Sequence, residues 1–164
     1  MSLRKTSFEP IVQDDTRLLI LGSLPGDKSL SAGQYYAHPQ NRFWHLLERV
    51  IDAQLVSLSY DNRIATLLDR KIGLWDAVKS AQRKGSLDAA IREIEATDLP
   101  LLVSRLPMLR AIAFNGKKSE AIGKAQLADK PVETVTLPSS SPAHARMTFT
   151  EKAVEWDKLQ QFLR

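Results

Sequence analysis

The chain has 164 residues, 43% apolar and 26% charged, which suits a packed globular domain rather than a disordered or fibrous one. Cysteine is absent, which excludes disulfides, thiol nucleophiles and iron–sulfur clusters; the three histidines, His38, His45 and His144, lack metal-ligand spacing, so no metal is expected. The net charge of +4 permits contact with a phosphate backbone without demanding it.

In chain order, the basic residues of MSLRKTSFEP are not followed by the apolar stretch of a secretory signal. No later run of about 18 apolar residues could span a membrane, so a cytoplasmic protein is expected. Leu18–Leu21 is a short apolar run closed by Gly22-Ser23-Leu24-Pro25-Gly26. Phe43, Leu46, Leu47, Val50 and Ile51 then share one helical face, opposite Arg42, Glu48, Arg49 and Asp52. Ile72–Trp75 is a second apolar run, ending at Asp76. Ser86 is positioned to cap a helix carrying Leu87, Ala90, Ile91 and Ile94, and Asp98 with Pro100 to start another over Leu101–Leu106. Ala111–Phe114 ends at Asn115-Gly116, with Lys117 and Lys118 opening a helix; Val132–Leu137 ends at Pro138 and three serines. Thr148 and Glu151 form a capping box ahead of Trp156, Leu159 and Leu163.

Short continuous apolar runs closed by Gly, Pro, Asn or Ser are the pattern of parallel strands buried on both faces. Alternating with helices, they predict an α/β layered domain with a mostly parallel sheet. Ligands of such sheets sit outside the carboxyl ends of the strands. Ser23, Gly26, Asp76, Asn115 and Ser139–Ser141 all fall there, so one cleft lined by distant segments is expected. Trp44 and Trp156 are expected to pack helices on the sheet, and Trp75, beside Asp76, to approach the cleft.

Two stretches carry chemistry. From Gly22 to Trp44, the glycines permit a sharp turn and close ligand approach, and Tyr35 and Tyr36 suit stacking on a nucleobase, or else one is core and the other faces solvent. Asn41 is either the N-cap of the following helix or an amide that orients a water. An amide is no strong base, so the second role needs a leaving group that departs readily; N-glycosidic cleavage fits, because positive charge develops on the sugar before water attacks. From Leu137 to Arg146, the hydroxyls and N–H groups of Ser139, Ser140 and Ser141 could cradle a phosphate. His144 and Arg146 follow, where a side chain could push into a duplex. Lys117 is either a solvated surface charge or a phosphate contact.

GSLPG, AHPQNRFW and LPSSSPAH together resemble the mismatch-specific and hypoxanthine branches of the uracil-DNA glycosylase superfamily, and GLWDAV and AFNGKK agree with it. The resemblance spans nearly the whole chain and implies one domain, 1–164: a three-layer α/β/α sandwich around a four-stranded, mostly parallel sheet. It implies a monofunctional enzyme without cofactor or metal. A monomer would bind double-stranded DNA, associate with the nucleoid, flip a deaminated base and leave an abasic site.

Residue by residue, the resemblance gives Gly22, Ser23, Leu24, Pro25 and Gly26 to contacts with the base and attacking water. Asp76 falls where other branches carry a residue that reads the base edge, and Tyr36 and Trp75 are expected, from their own positions, to border the base with it. Ser139–Ser141 pinch a phosphate, with Lys117 nearby, and His144 to Arg146 form the wedge. Mismatch-type members carry asparagine, and classical uracil enzymes aspartate, where this chain has Leu24, which cannot orient water. The hypoxanthine branch assigns that role to the asparagine of HPxNRFW, matched by Asn41. Leu137 stands where the uracil enzymes have a histidine; His144 is an alternative oxyanion donor. Hypoxanthine is therefore the first expected base and uracil the second. A mismatch-specific uracil enzyme and a catalytically silent DNA-binding module are the alternatives.

Overall fold

The computed structural model describes residues 4–127 and 132–164. Its centre is a four-stranded, wholly parallel sheet of β2 (Leu18–Gly22), β3 (Ile72–Asp76), β6 (Ala111–Asn115) and β7 (Glu133–Leu137), in the order β3-β2-β6-β7. The inner strands are buried throughout, and apolar up to the closing Gly22 and Asn115, because both faces are covered. Leu18, Ile20, Ala111 and Ala113 face α2 (Phe43–Ile51), α3 (Tyr60–Asp69) and α6 (Phe149–Asp157). Leu19, Leu21, Ile112 and Phe114 face the other way, against α4 (Leu99–Ser104) and α5 (Lys117–Lys124). Trp44 and Trp156 lie in the first of these cores, as expected, and the Trp156 indole donates to the Pro138 carbonyl at 3.0 Å. The layered α/β class and the four parallel strands agree with the sequence reading.

Helix ends follow their local chemistry. The Thr148–Glu151 capping box closes in both directions, at 3.0 and 3.2 Å. Asp98 accepts from the Leu101 N–H, with Pro100 in the first turn, so α4 begins two residues before the expected Leu101. A short helix absent from the sequence reading, α1 (Asp27–Ala32), follows Gly26.

One expected helix is not there. Ser86 starts no helix of its own; its hydroxyl accepts from the Asp27 N–H, the first of α1, at 3.0 Å. After a single 3₁₀ turn at Asp88–Ala90 the chain runs as β5 (Arg92–Ala96), antiparallel to β4 (Val78–Gln82). β4 in turn pairs with β1 (Arg4–Thr6), giving a second, three-stranded sheet. Of the four apolar residues that suggested a helix, only Ile91 is buried, against Leu24, Val78 and Ala81. Leu87 and Ile94 are exposed. Cross-strand pairing outweighed a helical spacing that had no surface to cover.

Helix α5 lies so close to the sheet that a Cβ on Gly123 would stand 2.6 Å from the Phe114 ring and 3.0 Å from Leu21 Cδ2, both fully buried. Helix propensity favours Gly123→Ala by about 1 kcal/mol, and overpacking opposes it by about 1–3 kcal/mol. The clash is with immobile core, so overpacking wins: urea denaturation should show net destabilisation, and a gain would mean that α5 can lift freely.

Candidate active site

A cavity of about 270 Å³ opens outside the carboxyl ends of all four parallel strands. Its floor is set by the pairing of β2 with β3, which places Gly22 opposite Asp76. A Cβ on Gly22 would lie 2.6 Å from Asp76 Oδ1 and 2.9 Å from the Tyr36 hydroxyl, so only glycine admits both groups. Asp76 is 3% exposed and its Oδ2 has no hydrogen-bond partner. Burial, with a smaller push from the Asp88 carboxylate and an opposing pull from Arg83, raises its pKa to about 7.

Tyr36 stands beside it. Its ring stacks on Phe43, with centroids 3.7 Å apart and planes 13° from parallel, so one face is already covered. Its backbone has φ +55°, a left-handed conformation that a bulky residue adopts at a cost of about 1–2 kcal/mol. Its hydroxyl is buried without a partner, and burial holds the phenol far above its ordinary pKa. Tyr35 is core instead: it is buried and donates to the Glu9 carbonyl at 3.0 Å.

The N-cap of α2 is Arg42, so Asn41, expected there, stands one residue earlier. Its Oδ1 accepts from the Phe43 N–H at 3.0 Å, two residues on, at the start of α2. That bond fixes which end of the amide is oxygen. Asn41 borders the cavity, and its Nδ2 has no hydrogen-bond partner among the described residues.

The serine loop is more committed than its composition suggests. Ser140 is buried: its N–H donates to Asn115 Oδ1, its Oγ accepts from Asn115 Nδ2, both at 2.9 Å, and its carbonyl accepts from the Arg42 N–H at 3.0 Å. The N–H of Ser141 donates to Ser139 Oγ, and that of Ala143 to Ser141 Oγ. The expected three-hydroxyl, backbone N–H cradle is therefore largely spent internally. Ser140 braces the loop, and the hydroxyl protons of Ser139 and Ser141 remain to be donated.

The family model described as the uracil DNA glycosylase superfamily matches residues 9–163. This chain belongs to that superfamily. The DNA-glycosylase class expected from the motifs holds with it. The hypoxanthine DNA glycosylase of Methanosarcina barkeri (strain Fusaro / DSM 804) is 42% identical over 92% of this chain and 95% of its own. That of Methanosarcina acetivorans is 39% identical over 93% and 96%. The solution NMR structure of a candidate uracil DNA glycosylase from M. acetivorans superposes with a TM-score of 0.88 at 38% identity, covering 98% of each chain.

Within this superfamily fold the first-motif loop is held by its carbonyls. Gly22 O accepts from the Ala77 N–H, Ser23 O from Val78 and Gly26 O from Leu30. Arg83, fully buried, donates to the carbonyls of Leu24 and Pro25 and, through Nε, to that of Gly85. Ser23 gives its hydroxyl to Asp88 Oδ1 at 2.6 Å, and Arg83 Nη1 lies 4.0 Å from the same oxygen. Arg83 and Asp88 were not anticipated, because an arginine followed by Lys84 and Gly85 reads as surface loop. The Leu24 side chain borders the cavity while packing on Val78, Ala81 and Ile91.

Trp75 corrects the sequence reading: it is outside the cavity, packs on the opposite face of the sheet and donates from Nε1 to the Phe8 carbonyl at 3.1 Å. Adjacent strand residues point to opposite faces, so Asp76 and Trp75 cannot share the cleft. His144 lies beyond the serine loop, held below its ordinary pKa first by burial, then by the charges of Lys152, Arg146 and Lys117. Arg146 and Lys117 are exposed, whereas Lys152 is buried and points its Nζ at the Ser141 carbonyl, 3.4 Å away. Lys152 was missed; its sequence signal was a lysine one helical turn before Trp156, on the packed face of α6.

The Asp76 shift carries a stability consequence. Its pKa is raised on folding, so folding is unpenalised below about pH 4, where both states hold the proton. The penalty grows as pH rises toward 7 and is then constant, at ~4 kcal/mol as an upper figure. Asp76→Asn should therefore be more stable than the parent at pH 8 and gain little at pH 4, by denaturant titration at both. An equal gain at both pH values would show that the carboxyl is not desolvated in the folded protein.

Proposed function

We propose that the protein removes hypoxanthine from deoxyinosine in double-stranded DNA, acting as a monomer of one domain in the cytoplasm, at the nucleoid. The observation that carries this reading is Asn41, whose amide is oriented by the Phe43 N–H at the edge of a cavity floored by Asp76. The names of the Methanosarcina relatives favour hypoxanthine as the base.

In this reading the flipped nucleotide enters with its base toward Gly22 and Asp76. The base is backed by the one uncovered face of Tyr36. Asn41 holds a water by its Nδ2 and the second lone pair of Oδ1. The C1′–N9 bond breaks with its electron pair passing to the purine, water adds to C1′, and the water's proton passes to solvent. Negative charge grows on the base, so a neutral Asp76 carboxyl, donating to a purine oxygen or nitrogen, binds the transition state better than the ground state. An ionised carboxylate would repel that charge. A carboxyl with a pKa near 7 supplies the neutral form at and below neutrality. The hydroxyls of Ser139 and Ser141, with Lys117, take the phosphates, and His144 and Arg146 face the duplex.

Two measurements test this. Duplexes carrying one inosine or one uracil, treated with alkali after incubation, should be nicked at inosine, and Asn41→Ala should slow single-turnover excision by about 100-fold or more. Cleavage of uracil alone would transfer the protein to the mismatch-type uracil enzymes, and binding without cleavage would make it a silent module. The pH profile reports on Asp76: excision should fall as pH rises above about 7, and Asp76→Asn, which keeps a donor without a titration, should flatten that limb. A rate that rises through the same range would assign the ionised form instead.

A further inference from the structure

Six large apolar side chains are exposed among the described residues: Leu87, Ile94, Leu101, Met108, Phe149 and Val154. Of these, only Leu87 borders the cavity. It is 58% exposed, at the tip of the β4–β5 hairpin. Single exposed apolar side chains are ordinary on a protein surface; this one is set apart by its place at the mouth of the cavity.

The backbone beneath Leu87 is anchored on both sides. Before it, the Ser86 hydroxyl accepts from the Asp27 N–H at 3.0 Å. After it, Asp88 accepts the Ser23 hydroxyl at 2.6 Å. The Gly85 carbonyl takes two cationic donors, Lys5 Nζ at 2.6 Å and Arg83 Nε at 3.1 Å. Lys5 is itself paired with Asp27 at 2.6 Å. Asp88 and Arg83 are thus tied to the Ser23–Pro25 loop and Ser86 to the start of α1, while Leu87 itself is left outside. That is the arrangement of a rigid mount for a protruding apolar group. It comes from a different chain segment than the His144–Arg146 stretch, so the two elements are independent.

We infer that Leu87 is a wedge that enters the base stack of the DNA duplex and occupies space vacated when a nucleotide turns into the cavity. A duplex interior is the apolar partner on offer to a side chain beside a base-sized cavity, and unstacking costs a few kcal/mol per step that such a side chain offsets. Leucine suits the task because it fills volume without demanding hydrogen bonds. The inference rests on the glycosylase reading above.

The test compares Leu87→Ala and Leu87→Met with the parent on inosine placed in a paired duplex and in an unpaired bulge. A wedge matters where the base must be pulled from a stack, so the duplex-to-bulge rate ratio should fall about tenfold in Leu87→Ala and recover in Leu87→Met. An unchanged ratio would overturn the inference, including the case in which both rates fall together, which would make Leu87 a contact of the flipped base. A second readout does not need catalysis: 2-aminopurine in a bound duplex should brighten less with Leu87→Ala than with the parent. If no inosine is cut but this difference persists, the wedge stands and the substrate assignment fails. If inosine is cut and neither ratio nor fluorescence changes, the wedge fails alone. Thermal melting of each variant should match the parent, since the Leu87 side chain packs in no core cluster.

Discussion

The pairing of Gly22 with Asp76 at the ends of β2 and β3 is the constraint from which the site is built. A parallel register brings a carboxylate against a backbone that has no Cβ, and the Tyr36 hydroxyl closes on the same point. The carboxyl is then dry, and its proton affinity rises into the neutral range. Tyr36 reaches that position in a left-handed backbone conformation, braced by the Phe43 ring. Phe43 also fixes Asn41 through its N–H. The acid group, the aromatic wall and the amide are therefore linked through two adjacent segments of chain.

Arg83 does for the opposite wall what Asn115 and Ser140 do for the serine loop. A fully buried guanidinium is costly to desolvate. It is offset here by the carbonyls of Leu24, Pro25 and Gly85 and by Asp88 4.0 Å away. The small antiparallel sheet that carries Arg83 is consequently part of the site's frame rather than an ornament on the fold. Asn115 plays the matching role with two 2.9 Å hydrogen bonds to Ser140, and Arg42 ties that loop to the start of α2. Both walls are rigid because each loop spends its polar groups on the next element.

Much of this was legible in the residues. The strands with two buried faces, the amphipathic α2, the capping box of α6 and the placement of Asp76, Asn115 and Ser139–Ser141 at strand ends follow from local pattern and one topological rule. What escaped depends on long-range partners. The spacing of Leu87, Ala90, Ile91 and Ile94 fits a helix, and only pairing with β4 makes the segment a strand. Three serines in a row look alike, yet Asn115 removes one from service. Trp75 was misplaced by a rule that was available: strand side chains alternate, so a neighbour of Asp76 points away from it. Arg83 looks like surface until its carbonyl partners are brought to it by the fold.

The distribution of charge completes the argument for a polymeric substrate over a small nucleotide. Lys117, Arg146 and Lys152 gather about the serine loop, close enough to depress His144. The cavity is lined by Asp27, Lys28 and Asp88, with Asp76 beneath, and Asp27 is paired with Lys5 while Asp88 accepts the Ser23 hydroxyl. A free nucleotide would have to carry its phosphates away from the cationic rim into that lining. A nucleotide within a strand need not, because its phosphates stay on the backbone, at the cationic rim, and only a neutral base and its sugar pass inward. The position of the cationic rim sorts the two ligands by where their phosphates must lie, with no group dedicated to excluding either.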